Sequence, residues 1–489
     1  MRLAVGLLLL CLPLFCEQDG IIVEDIFGRV VNQAGLTLVD WDGYMANPAI
    51  KFVVIPPAKA QFPATAILTA NEQRLYFDLP STVGANGPRK TISFANASTH
   101  VVVYLGNAPD RDSTDGLFSV KIDFVGADGR TSTLVMPVHE IDQDRDDGLH
   151  YKISVDFAQD ATAFFASAAN RAPVEQALAD WSYFFDDRKL DPVPAGQEKT
   201  LIWNSDGFTS SRNVTNQAAY TGSLLYVYGI HSAALRSGGE PSSQGRVQSS
   251  HGAPLPLRRS GGVEIETAGN YNSIGWLTSV SDARWWATAN LGNQQNELLS
   301  IAHHESGHAL AFNPAQVRFA GFKRSGCIND PAVMAYHRGA CLKIDSADHF
   351  DGETDDESLF GAFGNEYHGR APARRWFITK LDLLAAQAVG WKLRRTSSFV
   401  PVSIVTASLP SGLSGHPYVQ KLAAEGGIPF YNWTLAAGSL PDGLHLDSFS
   451  GTISGTPTRI GKFAFTVRLQ DYLEGSAGVT RRMTILVGR

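Results

Sequence analysis

Short runs of alternating apolar and polar residues occupy the first third of the chain. Between about Ile22 and Gly148 these runs are rich in β-branched and aromatic residues, as in IKFVVI, RLYFDL, HVVVYLG and LFSVKIDFVG. Gly, Pro, Asn and Asp separate the runs. A period of two residues is typical of strands that bury one face, and turn residues at short intervals connect antiparallel strands. The pattern therefore predicts an N-terminal β-sandwich over residues 22–148.

The pattern changes at about residue 149. The predicted strand YKISVDF is followed by a long segment, DATAFFASAANRAPVEQALADWSYFFDD, in which apolar residues recur at helical spacing. Further strands are predicted at TLIWNS, SLLYVYGI and GGVEIET, and a helix is predicted over roughly Asn293 to Phe312. A last helix fits ITKLDLLAAQAVGWKL, with Thr379 as its cap and Gly390 near its end. We expect a mixed α/β domain over residues 149–396, in a chain that is multidomain α+β as a whole.

The tail, residues 401–489, returns to short strands separated by the turn signals EGGIP, LPDGL and SGTPT. It contains the succession Gly-Gly-x-Pro-x-Tyr-x-Trp, Leu-Pro-x-Gly-Leu and Gly-x-Ile-x-Gly-x-Pro. This succession resembles the immunoglobulin-like modules that recur in bacterial surface proteins. The resemblance implies an immunoglobulin-like β-sandwich in which Trp433 and Tyr431 are core and strand residues. Contact with glycans through these rings is the alternative.

Composition and the start of the chain narrow the class of protein. With 489 residues, of which 44% are hydrophobic and 18% charged, the chain has the composition of a globular protein with several cores. Its net charge of -7 argues against a nucleic-acid partner. The apolar run from Leu3 to Phe15 is too short to span a bilayer but fits a signal peptide over residues 1–16. We expect a secreted protein without a transmembrane segment, and a lipid-anchored Cys16 is the alternative.

Two of the four cysteines lie in this leader, so Cys327 and Cys341 form the remaining pair. In an oxidising compartment a disulfide is the default state of such a pair. A metal site is the competing interpretation, but two thiols without C-x-x-C spacing are a poor zinc site. We therefore predict a disulfide between these cysteines.

The segment SIAHHESGHALAFNP contains candidate metal ligands. Residues four apart lie on one face of a helix, so His304 and His308 can direct two imidazoles at one point, with Glu305 beside it. This is the HExxH arrangement, in which two neutral imidazoles bind Zn²⁺ and the glutamate takes a proton from a zinc-bound water. His303 points away from that face and is predicted to be a surface residue or to support a ligand.

A zinc site needs a third protein ligand, which the chain must supply after the helix. From the residues alone the candidates stay open: they are His337, His349, Glu357, Glu366 and His368. Glu366 would fit the class of zinc hydrolases whose third ligand is a glutamate on a later helix, although its surroundings are rich in Gly and Pro.

Four segments together resemble the metzincin metallopeptidases, most closely their leishmanolysin-like branch: HESGHALAF, ADHFDG, DDESLFGAF and ITKLDLLAAQAVGWKL. The resemblance implies that His304, His308 and His349 bind Zn²⁺ and that Glu305 is the general base. It also implies an insertion before His349, which holds the cysteine pair.

Two positions depart from the metzincin pattern. Ala311 stands where the family has a glycine that turns the chain, so we expect Asn313 and Pro314 to end the helix, with Asn313 in left-handed geometry. No methionine lies between His349 and the last helix. Leu359 or Phe360 is expected to supply the apolar floor of the site instead.

The sequence thus predicts a secreted zinc endopeptidase that hydrolyses peptide bonds in a protein or peptide substrate. The segment GGVEIET is expected to hold the substrate as an added strand. The alternative is a secreted or cell-surface adhesion or scaffold protein with an inactive peptidase-like domain. In either case the β-sandwich domains could contact the cell surface or glycans.

Overall fold

The structure is a computed structural model, and most of the chain is described. The described residues are 20–43, 45–77, 87–110, 114–143, 150–186, 190–205, 210–231, 243–244, 259–268, 275–278, 295–337, 339–350, 377–394, 397–429, 431–472 and 478–489. They are mostly β-sheet with few helices. The predicted signal peptide lies outside them, as do Glu357, Leu359, Phe360, Glu366 and His368. No helix within them is long and apolar enough to cross a membrane.

The N-terminal region is built from two sheets. Its strands are β1 (Ile22–Asp25), β2 (Leu36–Asp40), β3 (Ile50–Ile55), β4 (Ala64–Ala70), β5 (Leu75–Phe77), β6 (Arg89–Phe94), β7 (Val101–Asn107), β8 (Gly116–Val125) and β9 (Thr131–Asp142). One sheet has the order β1-β3-β7-β5 and the other has the order β2-β9-β8-β4-β6. Burial alternates along β3 and β4, as expected for strands that direct every second side chain into a core between two sheets. Apolar residues of both sheets belong to one core.

A buried ion network lies at one end of these sheets. Arg74 Nη1 contacts Asp40 Oδ2 at 3.2 Å and Asp110 Oδ2 at 2.5 Å, and its Nη2 contacts Glu140 Oε2 at 2.7 Å. Three carboxylates therefore face one guanidinium. Burial raises the pKa of Asp40 well above its usual range. A hydrogen bond from Asn47 lowers this pKa in part, whereas the negative charges of Glu140 and Asp110 raise it further.

The middle region combines small sheets with helices. Its strands are β10 (Ile153–Asp156), β11 (Lys199–Trp203), β12 (Ser211–Thr215), β13 (Ser223–His231), β14 (Ser243–Gln244), β15 (Ser260–Ala268), β16 (Gly275–Leu277), β17 (Gln295–Glu297), β18 (Cys327–Ile328) and β19 (Leu342–Lys343). Its α-helices, within the described residues, are α1 (Ala168–Phe184), α2 (Leu298–Leu310), α3 (Val317–Ser325), α4 (Pro331–Tyr336) and α5 (Lys380–Ala388). Strands β10, β13 and β15 form a parallel sheet, and α2 packs against α1 and β15.

Several predicted elements of this region are present. The predicted strands YKISVDF, TLIWNS, SLLYVYGI and GGVEIET overlap β10, β11, β13 and β15, respectively. Thr379 caps α5 in a capping box with Asp382, and Gly390 has a positive φ of 121° after the helix. The helix predicted from about Asn293 begins later, at Leu298, because Gln295 to Glu297 pair with β16 as strand β17. These individual strands and helices are present, but they do not show the predicted central α/β domain with a metzincin fold.

The C-terminal region is a second β-structure with its own core. Its strands are β20 (Ser403–Ile404), β21 (Gly412–Leu413), β22 (Tyr418–Lys421), β23 (Ala424–Glu425), β24 (Asn432–Gly438), β25 (Leu444–Leu446), β26 (Thr452–Gly455), β27 (Gly461–Gln470) and β28 (Val479–Gly488). The larger sheets have the orders β21-β28-β27-β24 and β22-β26-β25. Trp433 is 3% exposed and belongs to the core between them, as predicted.

Arg29 connects the N-terminal and C-terminal regions. Its guanidinium pairs with Asp25 at 2.7 Å on its own side. It also donates to the carbonyls of Tyr431 at 3.2 Å and Ser448 at 2.8 Å, and it lies 3.9 Å from the centroid of the Phe449 ring. A cation that binds carbonyls and an aromatic face in this way holds the two β-structures against each other.

Candidate metal centre

Helix α2 positions the two histidines of the HExxH motif. All thirteen residues of the helix are buried, because most of them are small or apolar. His304 is 4% exposed and His308 is 8% exposed. Their ring centroids lie 4.7 Å apart, and their Nε2 atoms lie 3.1 Å apart. The spacing of four residues therefore brings both rings to one point, as helix geometry requires.

Helix α2 ends at Leu310, and side chains satisfy its last carbonyls. Asn313 Nδ2 donates to the His308 carbonyl at 2.6 Å, and Trp391 Nε1 donates to the Leu310 carbonyl at 3.0 Å. Asn313 is not in left-handed geometry, since the described non-glycine residues with positive φ are Ala163 and Asp348. The prediction that Asn313 ends the helix by a left-handed turn is therefore wrong in mechanism, because its amide caps the helix instead.

His349 comes to the same point from the far side of the insertion. Its Nε2 lies 3.2 Å from the Nε2 of His304, and one nitrogen from each of the three rings lies within 4.8 Å of the others. The side chain of His349 is 23% exposed, so the cluster faces solvent on its side. The other described candidate, His337, does not join the cluster, and its Nδ1 lies 3.2 Å from the Ala340 carbonyl.

The turn that presents His349 is fixed by covalent and ionic contacts. Cys327 and Cys341 form the predicted disulfide, with a Cα–Cα distance of 5.8 Å, and it staples the antiparallel pair β18 and β19. Lys323 of α3 donates to the Ser346 carbonyl at 3.0 Å and contacts the Asp348 carboxylate. Asp348 has a φ of 69°, which turns the chain directly before His349. These contacts bring His349, which belongs to a distant segment, to α2.

The protonation of His308 suits a metal ligand. Its Nδ1 lies 2.6 Å from the Phe312 carbonyl, so the ring hydrogen is on Nδ1 and the lone pair of Nε2 faces His304. Burial, followed by repulsion from His349, lowers the pKa of His308 to about 3. The ring is therefore neutral at physiological pH, which is the form that binds metals.

The three nitrogens fit a zinc ion. Tetrahedral Zn²⁺ with Zn–N bonds of about 2.0–2.1 Å places its ligand nitrogens roughly 3.3 Å apart. The two Nε2 separations given above, 3.1 and 3.2 Å, are close to this spacing. Glu305 is 4% exposed and adjoins His304 in the helix. Three imidazoles would fill three positions of a tetrahedral zinc ion and leave the fourth open, with the Glu305 carboxylate beside the site rather than among its ligands.

Behind the cluster lies a buried histidine–aspartate hydrogen bond that sequence reasoning missed. His303 is fully buried, and its Nε2 lies 2.7 Å from Asp180 Oδ2 of α1. Trp181 Nε1 donates to the His303 carbonyl at 2.9 Å. The surface alternative for His303 is therefore wrong, because α1 covers this face of α2. A charged residue within the apolar pattern of α1 was the available signal for Asp180.

A second group of carboxylates, Asp40, Asp110 and Asp142, lies in the N-terminal region with ligand oxygens within 4.8 Å of one another. Arg74 already contacts Asp40 and Asp110 of this group. The histidine cluster is thus the better candidate for a metal centre within the described part of the chain.

Comparison with known families matches the C-terminal part of the chain. Residues 396–487 match the family model described as "Putative Ig domain". This segment is an immunoglobulin-like domain. The prediction for the tail is thereby confirmed, whereas the family comparison gives no support to the metzincin resemblance. A search of curated proteins found no match.

Solved structures give only partial similarities. A "putative alpha-galactosidase" from Bacteroides fragilis is 25% identical over 18% of this chain and 17% of its own, with a TM-score of 0.16. The PapD-like domain of human CEP192 is 9% identical, and the match covers 29% of this chain and 99% of that domain, with a TM-score of 0.18. A family 123 glycoside hydrolase from Clostridium perfringens is 8% identical, and the match covers 28% of this chain and 30% of the hydrolase, with a TM-score of 0.18. This chain spans about a sixth of the galactosidase, and none of these TM-scores supports an inference about the whole chain.

Removal of the disulfide tests how far it holds the turn. We expect replacement of Cys327 and Cys341 by serine to lower the free energy of unfolding by about 3 kcal/mol, the loop-entropy value for a closed loop of about 15 residues. The zinc content should fall as well, because His349 follows the stapled strands. Urea denaturation and metal analysis measure the two effects. Unchanged zinc content together with unchanged stability would show that the non-covalent contacts of the turn hold it without the disulfide.

Proposed function

We propose that the chain is a zinc-dependent endopeptidase. The observation that supports this proposal is the convergence of the Nε2 atoms of His304, His308 and His349, with the carboxylate of Glu305 on the same helix. The Nε2 atoms of the two buried imidazoles lie as close to each other, and to the Nε2 of His349, as ligands of one zinc ion do, which supports a shared metal on this helix.

The histidines and Glu305 have separate roles in the proposed peptide hydrolysis. When bound, zinc lowers the pKa of a water molecule toward neutrality and polarises the scissile carbonyl. His304, His308 and His349 would hold the ion through one ring nitrogen each. Glu305 accepts a proton from the attacking water and delivers it to the nitrogen of the leaving amine, which is general base and then general acid catalysis by one carboxylate.

Strand β15 is the proposed site of substrate binding. It packs against α2 and is the last strand of the sheet β10-β13-β15 within the described residues. An extended peptide that adds to a sheet edge gains main-chain hydrogen bonds without a requirement for particular side chains. This mode of binding favours a peptide substrate over a small ester.

The fold and the localisation of the chain belong to the same proposal. We propose that residues 149–396 have a metzincin-like fold and that the chain is secreted. The Cys327–Cys341 disulfide supports secretion, because such bonds persist in oxidising compartments. We also include contact with the cell surface or with glycans through the immunoglobulin-like domain, which resembles modules that recur in bacterial surface proteins.

Metal analysis of histidine variants tests the proposal. The purified chain should contain close to one zinc ion, and His349→Ala should lose most of it because only two imidazoles remain. His337→Ala is the matched control, since His337 lies in the same insertion but outside the cluster. Equal zinc content in both variants would remove His349 from the site. A wild-type chain without zinc would favour the adhesion or scaffold alternative.

A further inference from the structure

Asp345 closes the turn that presents His349. Its Oδ1 accepts hydrogen bonds from the backbone N–H groups of Ala347 at 2.8 Å and His349 at 2.9 Å. The backbone N–H of Asp345 donates to the His349 carbonyl at 2.8 Å. The side chain and the main chain of one residue therefore clamp both ends of a five-residue turn. This is the turn that lies between the disulfide-stapled strands and the histidine cluster.

The second carboxylate oxygen of Asp345 faces the His349 ring. Asp345 Oδ2 lies 3.7 Å from His349 Nδ1, whereas the Nε2 of the same ring lies 3.2 Å from the Nε2 of His304. At 3.7 Å the contact is electrostatic rather than a hydrogen bond. A negative charge at this position favours the tautomer with its hydrogen on Nδ1. That tautomer presents the lone pair of Nε2 to the other two rings.

His308 obtains the same orientation by a different route. The Phe312 carbonyl, 2.6 Å from its Nδ1, fixes the hydrogen on that atom and is part of the main chain. A backbone carbonyl cannot be removed by substitution, but the Asp345 carboxylate can. Asp345 therefore offers a way to perturb the His349 ring while His308 keeps its main-chain partner.

We propose that Asp345 is the positioning residue of the third histidine, which holds the His349 turn closed and keeps the ring hydrogen on Nδ1 so that Nε2 can bind the metal. This inference rests on the proposed zinc site. A carboxylate that faces the outer nitrogen of a ligating histidine fixes its tautomer and raises its basicity, and its loss commonly costs 10–100-fold in metal affinity. Asp345 touches neither substrate nor metal in this role.

Two substitutions separate the clamp from the charge. Asp345→Asn keeps a side-chain oxygen that can accept the backbone N–H groups but removes the negative charge. Asp345→Ala removes both. We expect the zinc affinity, measured by competition with a chelator, to fall about 10-fold in the first variant and about 100-fold in the second. Asp345→Glu should restore part of the affinity, because it returns a charge to the turn.

Asp330→Asn is the matched control. Asp330 lies in the same insertion, and its Oδ1 accepts the backbone N–H of Ala332 at 2.9 Å at the start of α4, away from the histidine rings. Its variant should bind zinc like the wild type. Circular dichroism should show a folded chain for every variant.

A spectroscopic measurement reports on the tautomer directly. In nitrogen NMR of the zinc-free chain, the His349 ring of the wild type should have its hydrogen on Nδ1, and Asp345→Asn should give a mixture of tautomers. The absorption of the Co²⁺-loaded chain should change in Asp345→Asn and remain unchanged in Asp330→Asn. Loss of a clamp elsewhere in the insertion would alter neither signal.

The outcomes distinguish this inference from the function it rests on. If the wild type binds zinc through the three histidines and the Asp345 variants bind it equally well, only the positioning role is overturned. If the wild type binds no zinc, both proposals fail. Reduced affinity in the Asp345 variants, with normal affinity in Asp330→Asn, supports both.

Discussion

Glu305→Gln should abolish peptide hydrolysis while leaving zinc in place. The amide has the shape of the carboxylate but cannot accept a proton from water, and a positioned base contributes about 10²–10⁴-fold to the rate. His304, His308 and His349 are unchanged, so the zinc content should match that of the wild type. Cleavage of an unfolded protein or a peptide library, measured beside metal analysis, gives both quantities.

Glu175→Gln is the matched control for this experiment. Glu175 is an exposed residue of α1, so the same chemical change there should leave hydrolysis and zinc content unaltered. A Glu305→Gln variant that cleaves as fast as the wild type would exclude Glu305 as the base. If the wild type binds zinc but cleaves nothing across a broad library, the site is structural, and the adhesion or scaffold function becomes the better interpretation.

The part of the site that follows from local geometry could be predicted from the sequence. A spacing of four residues sufficed for His304 and His308 to share one helix face, because the helical repeat is a property of the backbone alone. The helix cap at Thr379 and the sandwich-like periodicity of β3 and β4 are equally local. The immunoglobulin-like domain could be predicted by resemblance, because the succession of turn motifs that carries the resemblance lies along one segment.

The part that depends on distant segments could not be derived in the same way. His349 lies 45 residues beyond His304, and the approach of their rings depends on how α3, the disulfide and the turn pack. The helical spacing correctly predicted that His303 points away from the face of His304 and His308. It could not show that α1, which carries Asp180, covers the face of α2 on which His303 lies. The end of α2 was placed correctly near Asn313, whereas the choice between a left-handed turn and a side-chain cap depends on atoms outside the motif.

Arg74→Met should cause a large loss of stability in the N-terminal region. The Arg74 guanidinium contacts Asp40, Asp110 and Glu140, of which Asp40 and Glu140 are almost fully buried. Removing one partner of a buried ion pair leaves an uncompensated charge and typically costs about 3–5 kcal/mol. Calorimetry or urea denaturation of the full chain should therefore show an earlier transition for the N-terminal sheets.

The pH dependence of this loss identifies its cause. Burial raises the pKa of Asp40 and of Glu140 in the folded state, so their carboxyls bind protons at higher pH than in the unfolded chain, where the Asp value is about 3.9. Their favourable contribution is present below that value and is lost as pH rises through the folded pKa. The defect of Arg74→Met should thus be largest at neutral pH and shrink toward pH ~4.

An arginine on the surface of the same region provides the comparison. Arg130 is 85% exposed and lies 3.4 Å from Asp128, so Arg130→Met should change stability by less than about 1 kcal/mol at any pH. If Arg74→Met lost no more than this, the three carboxylates would have to be compensated by protons rather than by the guanidinium. An equal loss at pH ~4 and pH ~7 would instead assign the effect to packing of the arginine side chain, since protonation of Asp40 and Glu140 would then make no difference.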